Sequence, residues 1–120
     1  MSIEKTLIDK DWQLYQSELN GDERCGVVLN DGTIIELPNR SSSPSNSFSM
    51  LESDFEPHRE QAIATWHTHP RGPNNLSIDD YNTFVELEDY YHLILTHQSI
   101  SLYKTIDGHV MNIARRKFDV

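Results

Sequence analysis

The stretch that organises this chain reads AIATWHTHP and covers residues 62–70. It combines small, β-branched and aromatic residues over the length of a strand and is closed by Pro70, so it predicts a buried β-strand. Side chains alternate between the two faces of a strand. The residues expected to share one face are Ile63, Thr65, His67 and His69. Trp66 points to the opposite face, where we expect it to pack in the core.

His67 and His69 can direct both imidazoles to one point, because residues i and i+2 of a strand lie on the same side. Seven residues separate His69 from Ser77, and two separate Ser77 from Asp80. Ser77 is suited to cap the next helix, with Asp80 at the third helical position, which brings a carboxylate near the rings. Two nitrogens and one oxygen are enough protein ligands for a catalytic zinc ion that keeps a fourth position for water. An ordinary capping box has the same Ser-x-x-Asp spacing, and the two interpretations are compatible.

A hydrolytic zinc site also needs a base that takes a proton from water and passes it to the leaving amine. Glu23 is the candidate, because it lies between the first predicted helix and the first predicted strand. Asp22 is adjacent and would point elsewhere in an extended segment, so these grounds favour Glu23 only slightly. The alternative interpretation of Glu23 is a solvated carboxylate at the end of a helix.

The composition is that of one acidic globular domain covering residues 1–120. The formal net charge of -9 argues against binding to nucleic acid or to an anionic membrane, because both need basic patches, and solubility alone explains the acidity. Cys25 is the only cysteine, which excludes an internal disulfide and is compatible with a reducing compartment. The first residues lack an apolar signal core and no apolar run reaches the length of a membrane span, so we expect a cytoplasmic protein.

The rest of the sequence predicts a mixed α/β (α+β) fold, with one mixed β-sheet flanked by helices. The expected helices cover residues 3–19 (with a stop at Asn20-Gly21), 56–61 and 78–87. The expected strands cover residues 27–29, 33–37, 62–69, 92–96, 100–104 and 110–113. Turns are expected at Asp31-Gly32, Gln98-Ser99 and Asp107-Gly108, and loops at residues 39–49 and 71–75. The apolar residues expected to be buried beside the first loop are Phe48, Met50, Leu51 and Phe55, and those on the helix at 78–87 are Tyr81, Phe84, Val85 and Leu87.

These positions, taken together, resemble the signature of a known family. The segment ERCGVV at residues 23–28, HTHP at residues 67–70, Ser77 and Asp80 are similar to the pattern of the JAMM (MPN+) metalloproteases. That pattern is Glu, a long gap, His-[Ser/Thr]-His-Pro, then a Ser separated from the second His by seven residues, then two residues, and Asp. The resemblance runs from about residue 3 to residue 113. The features that also resemble the prokaryotic branch found in phage tail-assembly peptidases are the Asp-Gly hairpin, Pro38-Asn39, Pro44 and Phe48.

The resemblance implies a fold, an activity and a role for each signature residue. The family's fold is a curved β-sheet between helices, related to the cytidine-deaminase fold. His67, His69 and Asp80 would bind Zn²⁺. Glu23 would act as general base and general acid, and Ser77 would stabilise the oxyanion of the tetrahedral intermediate. The implied reaction is hydrolysis of a peptide or isopeptide bond by a zinc-activated water. Deaminase activity is disfavoured, because the His-x-Glu and Pro-Cys-x-x-Cys motifs are absent.

The implied partner is a protein or peptide substrate, and two settings compete within the family. One is cleavage of a phage tail protein during assembly, in the host cytoplasm or with the virion. The other is release of the C-terminal tail of a ubiquitin-like protein from a conjugate. The alternative of another class is a non-catalytic MPN-type interaction module that keeps the fold. The residues not expected to act as ligands or nucleophile are Cys25, His58, His92, His97 and His109; Cys25 is expected to be a small buried residue and the histidines to lie on the surface or in strands.

Overall fold

The computed structural model describes residues 2–19, 21–45, 47–70 and 77–118, and within these ranges the chain forms one six-stranded β-sheet and three α-helices. The strands are β1 (Cys25–Leu29), β2 (Ile34–Leu37), β3 (Ala62–Thr68), β4 (Tyr91–Leu95), β5 (Ser99–Ile106) and β6 (His109–Lys117). The helices are α1 (Ile3–Ile8), α2 (Glu52–Phe55) and α3 (Ile78–Glu86), with 3₁₀ turns at Trp12–Tyr15 and Glu56–His58. The sheet order is β2-β1-β3-β4-β5-β6, with β3 and β4 parallel and the other neighbouring pairs antiparallel. The predicted α+β class with a single mixed sheet is confirmed.

The predicted hairpins are confirmed, and glycine explains two of their turns. Gly32, between β1 and β2, has a φ of +91°, a conformation that residues with a Cβ rarely adopt. Between β5 and β6, Asp107 and Gly108 both have positive φ, at 52° and 80°, as expected for the two central residues of a tight hairpin turn. The hairpin of β4 and β5 pairs Leu95 with Ile100 in antiparallel register.

The N-terminal helix is shorter than the sequence predicted. A helix over residues 3–19 was expected, but α1 ends at Ile8 and a 3₁₀ turn follows at Trp12–Tyr15. Trp12 explains the break: its ring is fully buried, and its indole N–H donates to the carbonyl of Leu7 at 2.7 Å. In a continuous helix that carbonyl would accept the backbone N–H four residues later. Burial of the indole therefore outweighs the helical pattern.

The two faces of the sheet carry separate cores. On one face the buried cluster includes Trp66, as predicted, and Trp12 lies 5.8 Å from it between ring centroids. On the other face, Met50 and Phe55 pack against a cluster centred on Val27, as predicted for the end of the first loop. The prediction for Leu51 is wrong, because its side chain is 49% exposed.

The inward face of α3 differs from the prediction. Phe84 is fully buried as expected, but Tyr81 and Val85 are 44% and 37% exposed. The buried face runs through Asp80 and Phe84, and residues one position further along the chain lie about 100° around the helix. The hydrophobic pattern failed here because a carboxylate, and not an apolar residue, occupies an inward position.

Two other boundaries also moved. The helical turns expected at residues 56–61 lie at residues 52–58, because the Gln61 carbonyl accepts the N–H of Asn30 at 2.7 Å, beside the end of β1. The last strand, expected at residues 110–113, extends to Lys117, which pairs with Ser99.

The expected helix stop at Asn20 and the expected loop at 71–75 lie outside the described residues. Among the residues that the structure describes, no helix has the length and apolar character needed to cross a membrane.

Gly26 provides a test of the packing between β1 and its neighbours. A Cβ at this position would come within 1.9 Å of the Ile35 carbonyl oxygen and 2.7 Å of Trp66 Nε1. We expect Gly26→Ala to lower the free energy of unfolding by about 3 kcal/mol or more, measured by urea denaturation. Gly108→Ala is the control: a Cβ there has nothing within 4 Å, and its positive φ should cost only about 1 kcal/mol. Equal losses in both variants would contradict the packing described here.

Candidate metal centre

The candidate site lies at the end of β3, where four elements meet. His67 belongs to β3, and His69 follows it directly, with its backbone N–H donating to the Leu95 carbonyl of β4 at 2.9 Å. Asp80 is the third residue of α3. Glu23 lies two residues before β1, the antiparallel neighbour of β3. The structure therefore brings together all four residues that the sequence singled out for metal binding and proton transfer.

The donor atoms of the two histidines and Asp80 form a close triangle. The Nε2 atoms of His67 and His69 are 3.1 Å apart. Asp80 reaches both rings, with Oδ1 at 3.1 Å from His67 Nε2 and Oδ2 at 3.1 Å from His69 Nε2. A carboxylate oxygen of Glu23 lies within 4.8 Å of the ligand atoms of both histidines. The buried Glu23–His67–His69 cluster can hold a metal ion, and Asp80 offers a further carboxylate at shorter distance.

Burial sets the charge state of these groups. Burial lowers the pKa of His67, although its hydrogen bond to Asp80 opposes this, so the ring is kept neutral. Burial alone would raise the pKa of Asp80, but its hydrogen bonds to His67 and His69 outweigh this and hold the pKa well below its usual range. Burial raises the pKa of Glu23 to about 7, with His69 lowering it and Asp80 raising it further.

Ser77 forms the capping box that the sequence predicted. Its hydroxyl oxygen accepts the Asp80 N–H at 3.0 Å, and its own N–H donates to Asp80 Oδ2 at 3.3 Å. These bonds hold the Asp80 carboxylate from the backbone side. Ser77 accepts the capping bond through an oxygen lone pair, so its hydroxyl hydrogen takes no part in that bond. The residue is exposed, three positions before Asp80.

The start of β1 is fixed on the opposite side of β3 from the two histidines. The Thr68 hydroxyl accepts the Arg24 N–H at 2.8 Å and also bonds to the Ser17 hydroxyl. The Thr68 N–H in turn donates to the Arg24 carbonyl at 2.9 Å. The Arg24 guanidinium is held by both carboxylate oxygens of Glu36. The residue next to Glu23 is therefore anchored through both its backbone and its side chain.

Aromatic rings enclose His67, and sequence reasoning missed this arrangement. Phe48 was expected to pin a loop to the core, but its ring stacks on His67 with centroids 4.3 Å apart. The Phe84 ring lies 6.3 Å from the His67 ring between centroids, and the His92 ring stacks on Phe84 with centroids 4.2 Å apart. Cys25 is buried as expected, and burial raises the pKa of its thiol to about 12, which opposes a nucleophilic role.

His92 was expected in a strand or on the surface, and it lies in β4 but fully buried. Its Nε2 is 2.9 Å from the Leu87 carbonyl, which can only accept, so Nε2 carries the proton. Nδ1 then accepts the Thr65 hydroxyl at 2.7 Å. This neutral ring packs face to face against the ring of Phe84. The burial of His92 could not be predicted from local sequence, because it depends on the pairing of Thr65 with His92. Those residues lie on parallel strands joined by a long connection.

A comparison with protein-family models gives no match, and a comparison with curated proteins gives none either. The function of the site is therefore argued from its geometry and from the resemblance in its sequence.

The buried His92 predicts a loss of stability in acid. In the unfolded chain this ring binds a proton below its ordinary pKa of 6.5. In the folded protein burial lowers the pKa of His92 to about 4, although the hydrogen bond to Leu87 opposes this. Because the unfolded state binds more protons between these values, the free energy of unfolding should fall as the pH is lowered from 6.5 to 4, by about 3 kcal/mol from this residue.

Urea denaturation of the metal-free protein at several pH values measures this dependence. In His92→Gln the decrease between those pH values should be smaller than in the unsubstituted protein. His58→Gln removes a partly exposed histidine and should leave the decrease unchanged. An unaltered decrease in His92→Gln would rule out His92 as its source.

Proposed function

We propose that this chain is a zinc-dependent hydrolase of the JAMM type that cleaves a peptide or isopeptide bond. The observation that carries the proposal is the set of three 3.1 Å separations among His67 Nε2, His69 Nε2 and the Asp80 carboxylate, with the Glu23 carboxylate close by. The curved-sheet JAMM fold, related to cytidine deaminases, is part of the same proposal. It is supported by a mixed sheet with the site at the end of a central strand.

The donor geometry fits zinc. Four tetrahedral ligands at about 2.0–2.1 Å from the ion lie about 3.3 Å from one another. The Nε2–Nε2 separation and the two N–O separations, one to each oxygen of Asp80, are all 3.1 Å and close to this value, so a small outward movement of His67, His69 and Asp80 would accommodate the ion. Two neutral imidazoles and one carboxylate are a usual ligand set for a catalytic zinc site. When bound, zinc would act as a Lewis acid that lowers the pKa of water toward 7.

Glu23 is suited to move a proton between the two halves of the reaction. Its carboxylate takes a proton from the attacking water as the new carbon–oxygen bond forms. The same carboxyl then gives that proton to the nitrogen as the carbon–nitrogen bond breaks, which yields a carboxylic acid and an amine. Burial raises its pKa to about 7 in the metal-free site, and a nearby zinc ion would lower that pKa and so favour the carboxylate form that accepts the first proton.

Ser77 would stabilise the charge that develops on the carbonyl oxygen. Its hydroxyl hydrogen is not used in the helix cap, and the residue is exposed next to Asp80. A fixed donor of this kind is worth about 3 kcal/mol in the transition state. His67, His69 and Asp80 hold their positions throughout, since strand pairing and the capping box fix them.

The proposed substrate is a protein or peptide, and two settings fit this chemistry. One is a phage tail protein, and the other is the C-terminal tail of a ubiquitin-like protein, each in the cytoplasm. The hydrolase proposal is preferred to a non-catalytic interaction module because Glu23, His67 and His69 form one buried cluster and the Asp80 carboxylate reaches both imidazoles.

Replacement of the proposed ligand Asp80 tests the metal site. Asp80→Asn should lower zinc affinity by about 100-fold or more, measured by competition with a chelator, because a charged ligand is lost. Asp79→Asn alters the exposed neighbour in the same helical turn and should change the affinity little. Equal zinc affinity in Asp80→Asn and the unsubstituted protein would exclude Asp80 as a ligand.

Replacement of Glu23 tests the reaction. Glu23→Gln should keep its zinc and lose about 100- to 10,000-fold in hydrolysis of linear and isopeptide-linked peptides, because the amide cannot take up the proton. Asp22→Asn is the control, since Asp22 is exposed whereas Glu23 is 8% exposed. A fully active Glu23→Gln would refute the proposed role. Zinc binding without hydrolysis by the unsubstituted protein would favour the interaction module.

A further inference from the structure

The backbone of Glu23 is held by a loop and not by a strand. We call residues 39–49, of which 46 is outside the described part, the serine-rich loop. The Glu23 N–H donates to the Pro44 carbonyl of this loop at 2.7 Å. The Glu23 carbonyl accepts the side-chain N–H of Asn39 at 2.9 Å. Both backbone polar groups of the proposed base therefore depend on the same loop.

One side chain, that of Asn39, ties this loop together. Its Nδ2 donates to carbonyls and its Oδ1 accepts backbone N–H groups, so that a single amide closes the loop at both ends. The five contacts are Nδ2 to Glu23 O at 2.9 Å, Ser47 O at 3.0 Å and Pro44 O at 3.4 Å, and Oδ1 to Ser41 N at 3.0 Å and Ser49 N at 3.1 Å. The Asn39 amide has two N–H hydrogens for the three carbonyls, so the longest contact, to Pro44 O at 3.4 Å, shares a hydrogen with one of the other two.

The far end of the serine-rich loop reaches the other side of the site. Phe48 stacks on the imidazole of His67, with an interplanar angle of 23°. The loop therefore contacts a proposed metal ligand through Phe48 and holds the backbone of the proposed base through Asn39 and Pro44. Its shape fixes the distance between the two.

We propose that Asn39 is a positioning residue that acts through Glu23. By closing the serine-rich loop, its amide keeps the Glu23 backbone in place and so holds the Glu23 carboxylate beside His67 and His69. This inference rests on the proposed function, because it takes Glu23 as the base. Within the described part of the chain, the five hydrogen bonds of the Asn39 side chain go to the Glu23 backbone and to the serine-rich loop, and none of them goes to His67, His69 or Asp80.

Two variants separate the parts of this role. Asn39→Ala removes all five contacts, whereas Asn39→Asp keeps the acceptor for Ser41 and Ser49 and loses the donor to Glu23. Each should lower kcat by about 10- to 100-fold, since a displacement of about 1 Å in a catalytic group has effects of this size. KM and zinc affinity should change much less. Asn112→Asp, in the edge strand β6, is the matched control and should leave kcat unchanged.

A double-mutant cycle distinguishes positioning from a general loss of structure. If Asn39 acts through Glu23, then Asn39→Ala should cause no further loss of rate in a Glu23→Gln background. The same fold-loss in both backgrounds, or parallel changes in kcat, KM and zinc affinity, would overturn the inference. Asn39→Asp provides a second route to this comparison if Asn39→Ala does not fold.

Amide hydrogen exchange tests the inference without any activity. The Glu23 N–H should exchange faster in Asn39→Ala and Asn39→Asp, because its acceptor Pro44 is no longer held, while the Val28 N–H inside β1 keeps its protection. Unchanged exchange at Glu23 would overturn the inference even if the protein is a zinc hydrolase. Conversely, a fully active Glu23→Gln would refute the proposed function and with it the catalytic role of Asn39, while the exchange rates would still report whether Asn39 holds the Glu23 backbone.

Discussion

The register of β1 against β3 is the constraint on which the site depends. The two strands are antiparallel and pair Cys25 with His67. The same register, continued two residues before Cys25, brings Glu23 opposite His69, so that the proposed base and a proposed ligand share one face. A slip of one residue would turn Glu23 to the other side of the sheet. Thr68 secures the register, because its hydroxyl and its backbone N–H both bond to Arg24.

Two buried carboxylates give the site its chemistry. Asp80 and Glu23 are 5% and 8% exposed, and the nearby Arg24 is already paired with Glu36. Asp80 draws its stabilisation from hydrogen bonds to His67 and His69, whereas burial raises the pKa of Glu23. Carboxylates buried without a cation are costly. A divalent ion between the imidazoles and Asp80 would offset that cost. The proposed base, Glu23, would have to lie near the metal without binding it, and its backbone is held by Pro44 and Asn39 of the serine-rich loop.

Local rules predicted much of this structure, and long-range contacts decided the rest. Alternation along β3 placed His67 and His69 on one face, and the capping box at Ser77 followed from spacing alone. The same rules failed for the N-terminal helix, because the buried indole of Trp12 takes a carbonyl that the helix would use. They also failed for His92, whose burial depends on the parallel pairing of strands separated by α3. The sequence favoured Glu23 over Asp22 only slightly, since the register that decides between them spans more than forty residues.

A crystal structure of the zinc-loaded protein, with anomalous scattering measured at the zinc edge, tests the central claim most directly. The predicted result is one zinc ion at about 2.0–2.2 Å from His67 Nε2, His69 Nε2 and a carboxylate oxygen of Asp80, with Glu23 outside bonding distance. A zinc ion bound elsewhere, a site that stays empty at saturating zinc, or an ion bound by Glu23 in place of Asp80 would contradict it.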